Sequence, residues 1–270
     1  MGDWPNTEVL QRLQGYGVVA SSDAIALTVA GAVNTKSAWT ELIASTPFDS
    51  FGIVVQGGMV NIGSFDIGVG AAGYEQIIIS DFYQGFRLSG SKTMYFPIAI
   101  PAGSRIAARY QSVQIAIVPK MNVFLCQGDV NRTFSQIVTY GFVSGTSKGL
   151  TVDPGTTLNT KGTWNEIVAS TVKDIKAIAI IIGDQAYSRG NAQIDWLIDI
   201  GIGAAGYENV FIPDWWARYN YSSSAIPIEP ANSPWFWLPI PAGSRLAVRA
   251  QCKINTVTSR NIDVILHAIV

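Results

Sequence analysis

The sequence predicts an all-β protein built from two tandem antiparallel β-sandwich domains of jelly-roll type, related by internal duplication. Three observations predict this. Four blocks of sequence recur in the same order, short β-branched runs alternate with turn residues along the whole chain, and helical periodicity is nearly absent.

The repeat organises the rest of the chain. Tyr16-Gly17-Val18-Val19 returns 124 residues later as Tyr140-Gly141-Phe142-Val143. Asn34-Thr35-Lys36 with Trp39 and Glu41 returns 125 residues later as Asn159-Thr160-Lys161 with Trp164 and Glu166. Asp66-Ile67-Gly68-Val69-Gly70-Ala71-Ala72-Gly73-Tyr74-Glu75 returns as the block from Asp199 to Glu208, and Ile100-Pro101-Ala102-Gly103-Ser104-Arg105 as the block from Ile240 to Arg245. The offset grows to 133 and then to 140, so the second copy gains eight residues around 186–193 and seven around 215–234. Insertions of this kind collect in surface loops, where closure costs little and function tends to sit. The expected organisation is an N-terminal arm over 1–15, a first sandwich over 16–127, a linker over 128–139 and a second sandwich over 140–270.

Strands are expected at Phe51–Gln56, Gln76–Ser80, Gln114–Val118, Asn122–Leu125, Ile175–Ile182 and Asp263–Val270. A helical period shows in Thr7–Leu13, and weakly in Ser37–Ala44 and its counterpart Thr163–Ala169.

Composition narrows the function classes. Charged residues are 14% of the chain and the net charge is −1, which leaves no basic field to draw in nucleic acid or an anionic membrane. No apolar run approaches the roughly 20 residues of a membrane-spanning helix. The N-terminus lacks the basic and apolar regions of a secretory signal. Mean hydropathy is nonetheless positive, and apolar residues make up 48% of the chain, so a subunit or partner interface is expected to cover apolar surface.

Candidate chemistry is sparse. Gly68-x-Gly70-x-x-Gly73 and Gly201-x-Gly203-x-x-Gly206 spell the dinucleotide fingerprint, but strand-like segments follow them where that motif needs a helix N-terminus. They read as glycines turning a strand-to-strand corner. Histidine occurs once, as His267, with its first-copy mate near Cys126 or Gln127, and reads as a structural strand residue. Cys126 and Cys252 do not correspond and read as buried free thiols. No catalytic set, cofactor or metal is expected. The charges kept in both copies, Asp66 with Asp199, Arg105 with Arg245 and Arg109 with Arg249, read as structural ties beside the glycine corners. The aromatic cluster Trp215, Trp216, Tyr219, Tyr221, Trp235 and Trp237 is the best recognition signal, open to three readings: interface, core or glycan platform. Neighbours on a strand face opposite ways, so at least one of Trp215 and Trp216 should point out of its own core.

At the glycine-corner block from Asp66 and the block from Ile100 to Gln111, the chain resembles a group of tailed-bacteriophage virion proteins. Each half carries the resemblance, roughly over 16–127 and 140–270. Tyr74 and Tyr207 stand where that group's pattern has a smaller polar residue. The resemblance implies a non-enzymatic decoration or cement protein on the particle exterior. It would form a symmetric homo-oligomer such as a trimer and bind the major capsid protein. The alternative is a tail or fibre protein that binds receptor glycans.

Overall fold

The structure, a computed structural model, describes residues 9–16, 18–19, 23–59, 62–84, 90–115, 118–129, 134–184, 193–219, 228–229 and 232–270. The first module contains β1 (Val9–Tyr16), β2 (Val18–Val19), β3 (Asp23–Ala26), β4 (Thr40–Ile43), β5 (Gly52–Met59), β6 (Gly63–Val69), β7 (Gln76–Gln84), β8 (Gly90–Phe96), β9 (Ile106–Ser112) and β10 (Lys120–Asp129). The second contains β11 (Ile137–Tyr140), β12 (Phe142–Val143), β13 (Lys148–Val152), β14 (Asn165–Val168), β15 (Ala177–Asp184), β16 (Ile194–Ile202), β17 (Asn209–Tyr219), β18 (Ile228–Glu229), β19 (Leu246–Cys252), a one-turn helix α1 (Val257–Arg260) and β20 (Ile262–Ile269).

Each module is an antiparallel sandwich with jelly-roll strand order. In the first, one sheet runs β2-β3-β10-β5-β8, with β1 also on β10, and the other runs β4-β9-β6-β7. The second repeats these pairings: β13 and β15 flank β20, and β14-β19-β16-β17 forms the opposing sheet. Two-layer packing follows from alternation. On β5, Ile53 and Val55 are fully buried while Val54 and Gln56 between them are half-buried.

The modules are fused through one shared sheet. Strand β11 pairs antiparallel with β20 through Ile137–Tyr140 and parallel with β7 at Ile137 and Ile79. The β4-β9-β6-β7 sheet of the first module therefore continues into β20 and β15 of the second. This gives β15 and β20 two buried faces. Ala177, Ala179, Ile181, Ile265 and Ile269 join the first core, and Ile178, Ile180, Ile182, Val264 and Leu266 join the second. Every residue of β20 is buried, and its Ile-Asp-Val-Ile-Leu-His-Ala-Ile run is apolar at six of eight positions, as suits a doubly covered strand.

Several local expectations are corrected. Residues 9–15, expected in an arm, form most of β1, and 137–139, expected in a linker, form most of β11. The described part of Thr7–Leu13 lies in strand β1, and Ser37–Ala44 and Thr163–Ala169 contain strands β4 and β14, where the periodicity predicts helix. All three strands carry a register shift against their partner, at Leu10/Arg12, Glu41/Ile43 and Glu166/Val168. A bulge of that kind breaks the two-residue alternation and imitates a helical spacing. The described part of Gln114–Val118 is loop and not strand. Backbone pairing also places Phe124, not Cys126 or Gln127, at the position of His267: Phe124 lies opposite Gly15, as His267 lies opposite Thr139.

Candidate binding face

The duplicated charges meet because strand register puts them opposite each other. Asp66 lies directly across from Arg109 and Asp199 directly across from Arg249. Asp66 accepts from Arg109 at 2.9 Å, from Lys36 at 2.8 Å and from the Asp81 backbone N–H at 2.9 Å. Asp199 repeats this with Arg249 at 2.9 Å, Lys161 at 2.6 Å and the Asp214 N–H at 2.9 Å. Arg109 and Arg249 also stack on Trp39 and Trp164, 4.6 and 4.5 Å from the ring centres. Burial pushes the Asp199 carboxyl upward, but Lys161, the Asp214 amide and Arg249 together outweigh it and hold the group below its ordinary value.

Arg105 and Arg245 tie the glycine corners. Arg105 bonds Glu41 at 2.7 Å, Glu75 at 2.9 Å and the Gly70 carbonyl at 3.3 Å; Arg245 bonds Glu166 at 2.7 Å, Glu208 at 2.8 Å and the Gly203 carbonyl at 3.1 Å. The corners need glycine for a specific reason. Gly203 sits at φ 128°, and a Cβ there would lie 2.9 Å from the Tyr207 carbonyl. Gly206, at φ 82°, has open space around it. Gly203→Ala should therefore lower unfolding free energy by about 2 kcal/mol, while Gly206→Asn should change it by less than about 1 kcal/mol, because Asn tolerates the left-handed region. Urea unfolding of the two variants checks the contrast. Beyond the corners, Tyr74 and Tyr207 project from equivalent tips, 83% and 82% exposed.

The outer face carrying Asp66 and Asp199 has different fates in the two modules. In the first it is covered by the second module. Tyr83 is fully buried, donates its hydroxyl to Asp263 at 2.6 Å and packs edge-on against Phe142, with ring centres 6.2 Å apart. Gln111 donates to the Ser144 carbonyl at 2.9 Å and to Ser147 Oγ at 3.0 Å. In the second module the matching positions, 133 and 140 residues on, are Trp216 and Gln251. Trp216 lies opposite Leu197 as Tyr83 lies opposite Ser64. No segment of the described chain covers it, and Trp216 is 46% exposed. Its indole N–H donates to Asp195 at 3.3 Å, and Arg218 stands 4.9 Å over its ring. Asp195 also pairs with Arg218 and Lys253, each at 2.5 Å. Burial raises the Asp195 carboxyl, and these two cations more than reverse that. Asn159, Leu197, Gln251 and Lys253 complete a shallow depression beside Trp216.

The other aromatics divide. Trp215 packs on the second core, edge-on to Phe236 at 5.7 Å. Tyr219 is 8% exposed and belongs to the same core. Trp235 packs against the first core and donates to the Tyr95 carbonyl at 2.9 Å, which makes it a joint between modules. Trp237 is 37% exposed and rests on Phe134. Tyr221 lies outside the described residues. Asp195 and Lys253 belong to no repeated block and Asn159 carries only the signal of one, so the sequence singles out none of them; strand order alone brings them beside Trp216.

Two titratable groups lie where the modules meet. His267 is fully buried between Phe82 and Phe96, 6.2 and 6.1 Å from their ring centres, with Nδ1 2.8 Å from Thr139 Oγ1. Burial, with a smaller contribution from Lys92, pushes its pKa down to about 3. Burial also lowers Lys92 to about 7; its ammonium bonds the Tyr83 carbonyl at 3.2 Å. Cys126 and Cys252 are both buried and stand outside any disulfide. Among the described residues no group of three or more His, Cys, Asp or Glu side chains is placed to hold a metal ion.

No family model matches the chain, and no curated protein matches it. Solved structures do. PNGF-II is matched over 96% of this chain at 9% identity and a TM-score of 0.39, this chain spanning 65% of that protein's length. A peptide-N(4)-(N-acetyl-β-D-glucosaminyl) asparagine amidase is matched over 96% of both chains at 12% identity and a TM-score of 0.40. The N-terminal CBM22-1–CBM22-2 tandem domain of Xyn10C from Paenibacillus barcinonensis is matched over 90% of this chain at 11% identity and a TM-score of 0.27. The expectation that the chain is not an enzyme is corrected by the amidase match, and the class is left open. The likenesses are too distant to assign an activity or a substrate to this chain.

Proposed function

We propose that the chain is a structural contact protein of a tailed-phage particle, a decoration or cement protein on the particle exterior, working through the open outer face of its second module. The observation that carries this reading is the contrast between Tyr83 and Trp216: one outer face is sealed by a neighbouring module and its equivalent stands bare. A half-exposed tryptophan among satisfied charges is the usual anatomy of an interface anchor. The particle itself is inferred from the resemblance of the glycine-corner and Ile-Pro-Ala-Gly-Ser-Arg blocks to phage virion proteins.

The test is location and retention. An antibody raised against the purified chain should label the capsids of phage particles from the source culture. Trp216→Ala should reduce retention on them by roughly tenfold or more, since hot-spot truncations cost about 2 kcal/mol or more. Absence of the chain from purified particles removes the reading.

A second reading has its own support. Trp216 with Asn159, Asp195, Gln251 and Lys253 is an aromatic plane ringed by polar groups, a combination that suits a sugar. Binding on a glycan array that Trp216→Ala abolishes, with capsids unlabelled, would favour a tail or fibre receptor-binding protein.

A further inference from the structure

We infer that the open face of the second module receives the first module of a second copy of this chain, so that copies join head to tail. The inference rests on the contact reading above and names the partner. The junction between the two modules of one chain supplies the template. Its acceptor half is the β7 edge, Tyr83 and Gln111; its donor half is β11, Asp263 of β20 and the segment from Phe142 to Ser147.

The strand edge of each half recurs, β17 for β7 and β1 for β11, and among the described residues each lacks the partner strand that joins β7 to β11. On the acceptor side, β17 pairs with β16 along one edge and with β18 only at Arg218 and Tyr219. Among the described residues, the opposite edge from Asn209 to Trp215 pairs with nothing. Val210 on that edge is 41% exposed, and Trp216 beside it is 46% exposed where Tyr83 is sealed.

On the donor side, β1 stands to β10 as β11 stands to β20. Ile137 makes the parallel contact with Ile79 and is fully buried; its equivalent Leu13 is 51% exposed. Among the described residues, two unpaired strand edges, each with an exposed apolar residue, thus stand in the relation already satisfied once within the chain. Leu13 of one copy then lies opposite Ile212 of the next, in a parallel pair that extends the shared sheet. The contact is heterologous, so it grows into a ring or an open filament according to its rotation.

Sedimentation velocity of the full chain at graded concentrations tests this. Mass should rise above 29.0 kDa with concentration. Leu13→Asp removes the donor surface and Trp216→Asp the acceptor surface; Val210→Asp is a second acceptor variant. Each alone should stay at the monomer mass, with unfolding midpoints checked against the parent. Because each variant keeps the half that the other lacks, an equimolar mixture of Leu13→Asp with either acceptor variant should give a dimer, twice the chain mass, and stop there. A parent chain that stays monomeric up to its solubility limit overturns the inference. So does parent-like assembly by a single variant, or a mixture no more associated than its components. Particle labelling is read separately, so loss of labelling with intact assembly faults the particle reading alone, and the reverse faults only this one.

Discussion

His267→Phe is expected to remove most of the acid sensitivity of the folded chain. The imidazole is buried at the module junction with its pKa pushed down to about 3, from 6.5 in the unfolded chain. The unfolded chain therefore takes up a proton that the folded chain refuses. The associated stability is complete above pH 6.5 and is lost progressively as pH falls toward 3. By linkage the loss is at most about 5 kcal/mol. Phe124 already fills the equivalent position in the first module, so an aromatic hydrocarbon suits the strand. Urea midpoints from pH 3 to pH 7 should slope steeply in the parent and much less in the variant. Equal slopes would show that His267 titrates normally. Lys92, lowered to about 7 from 10.5, acts in the same direction at higher pH, so stability should keep rising between those values.

Asp199→Ala is expected to cost about 3 kcal/mol, the low end of the penalty for breaking a buried ion pair, because its partners Lys161 and Arg249 are only partly buried. It leaves Lys161 and Arg249 without their shared carboxylate and the Asp214 amide without its acceptor. Asp66→Ala should cost a similar amount, because Lys36, Arg109 and the Asp81 amide repeat the arrangement. The Asp199 carboxyl is held below its unfolded value of 3.8, so its contribution is present above that pH and is lost as pH falls through the lower folded value. Adding Arg249→Met to Asp199→Ala should recover part of the loss, since Arg249 is the cation left without a carboxylate while Lys161 keeps Asp214 at 2.7 Å. Equilibrium unfolding at pH 7 measures all three variants. A loss under about 1 kcal/mol for Asp199→Ala would mean that water, and not the protein, satisfies the cluster.

What the sequence made legible follows from chemistry that repeats. Asp66 and Arg109, or Asp199 and Arg249, are kept in both copies, and the structure sets each pair face to face across two strands. The glycine corners were readable because an abrupt turn needs particular backbone angles, which only a few residues supply. The junction was hidden for a different reason. Whether Ile137–Tyr140 is a linker or a strand depends on the β7 edge far away in sequence, and no local pattern encodes that edge. The bare second face was hidden too, because Tyr83 and Trp216 look alike as letters and differ only in what lies over them.

The most direct test of the account is amide hydrogen exchange of the intact chain at low and high concentration. The β11-facing amides of segment 76–84 should be protected at both, whereas the amides of segment 209–215 that point away from β16 should exchange quickly when dilute and slow markedly when concentrated. Rapid exchange of 209–215 at every concentration, or a β7 edge as fast as β17, would contradict it.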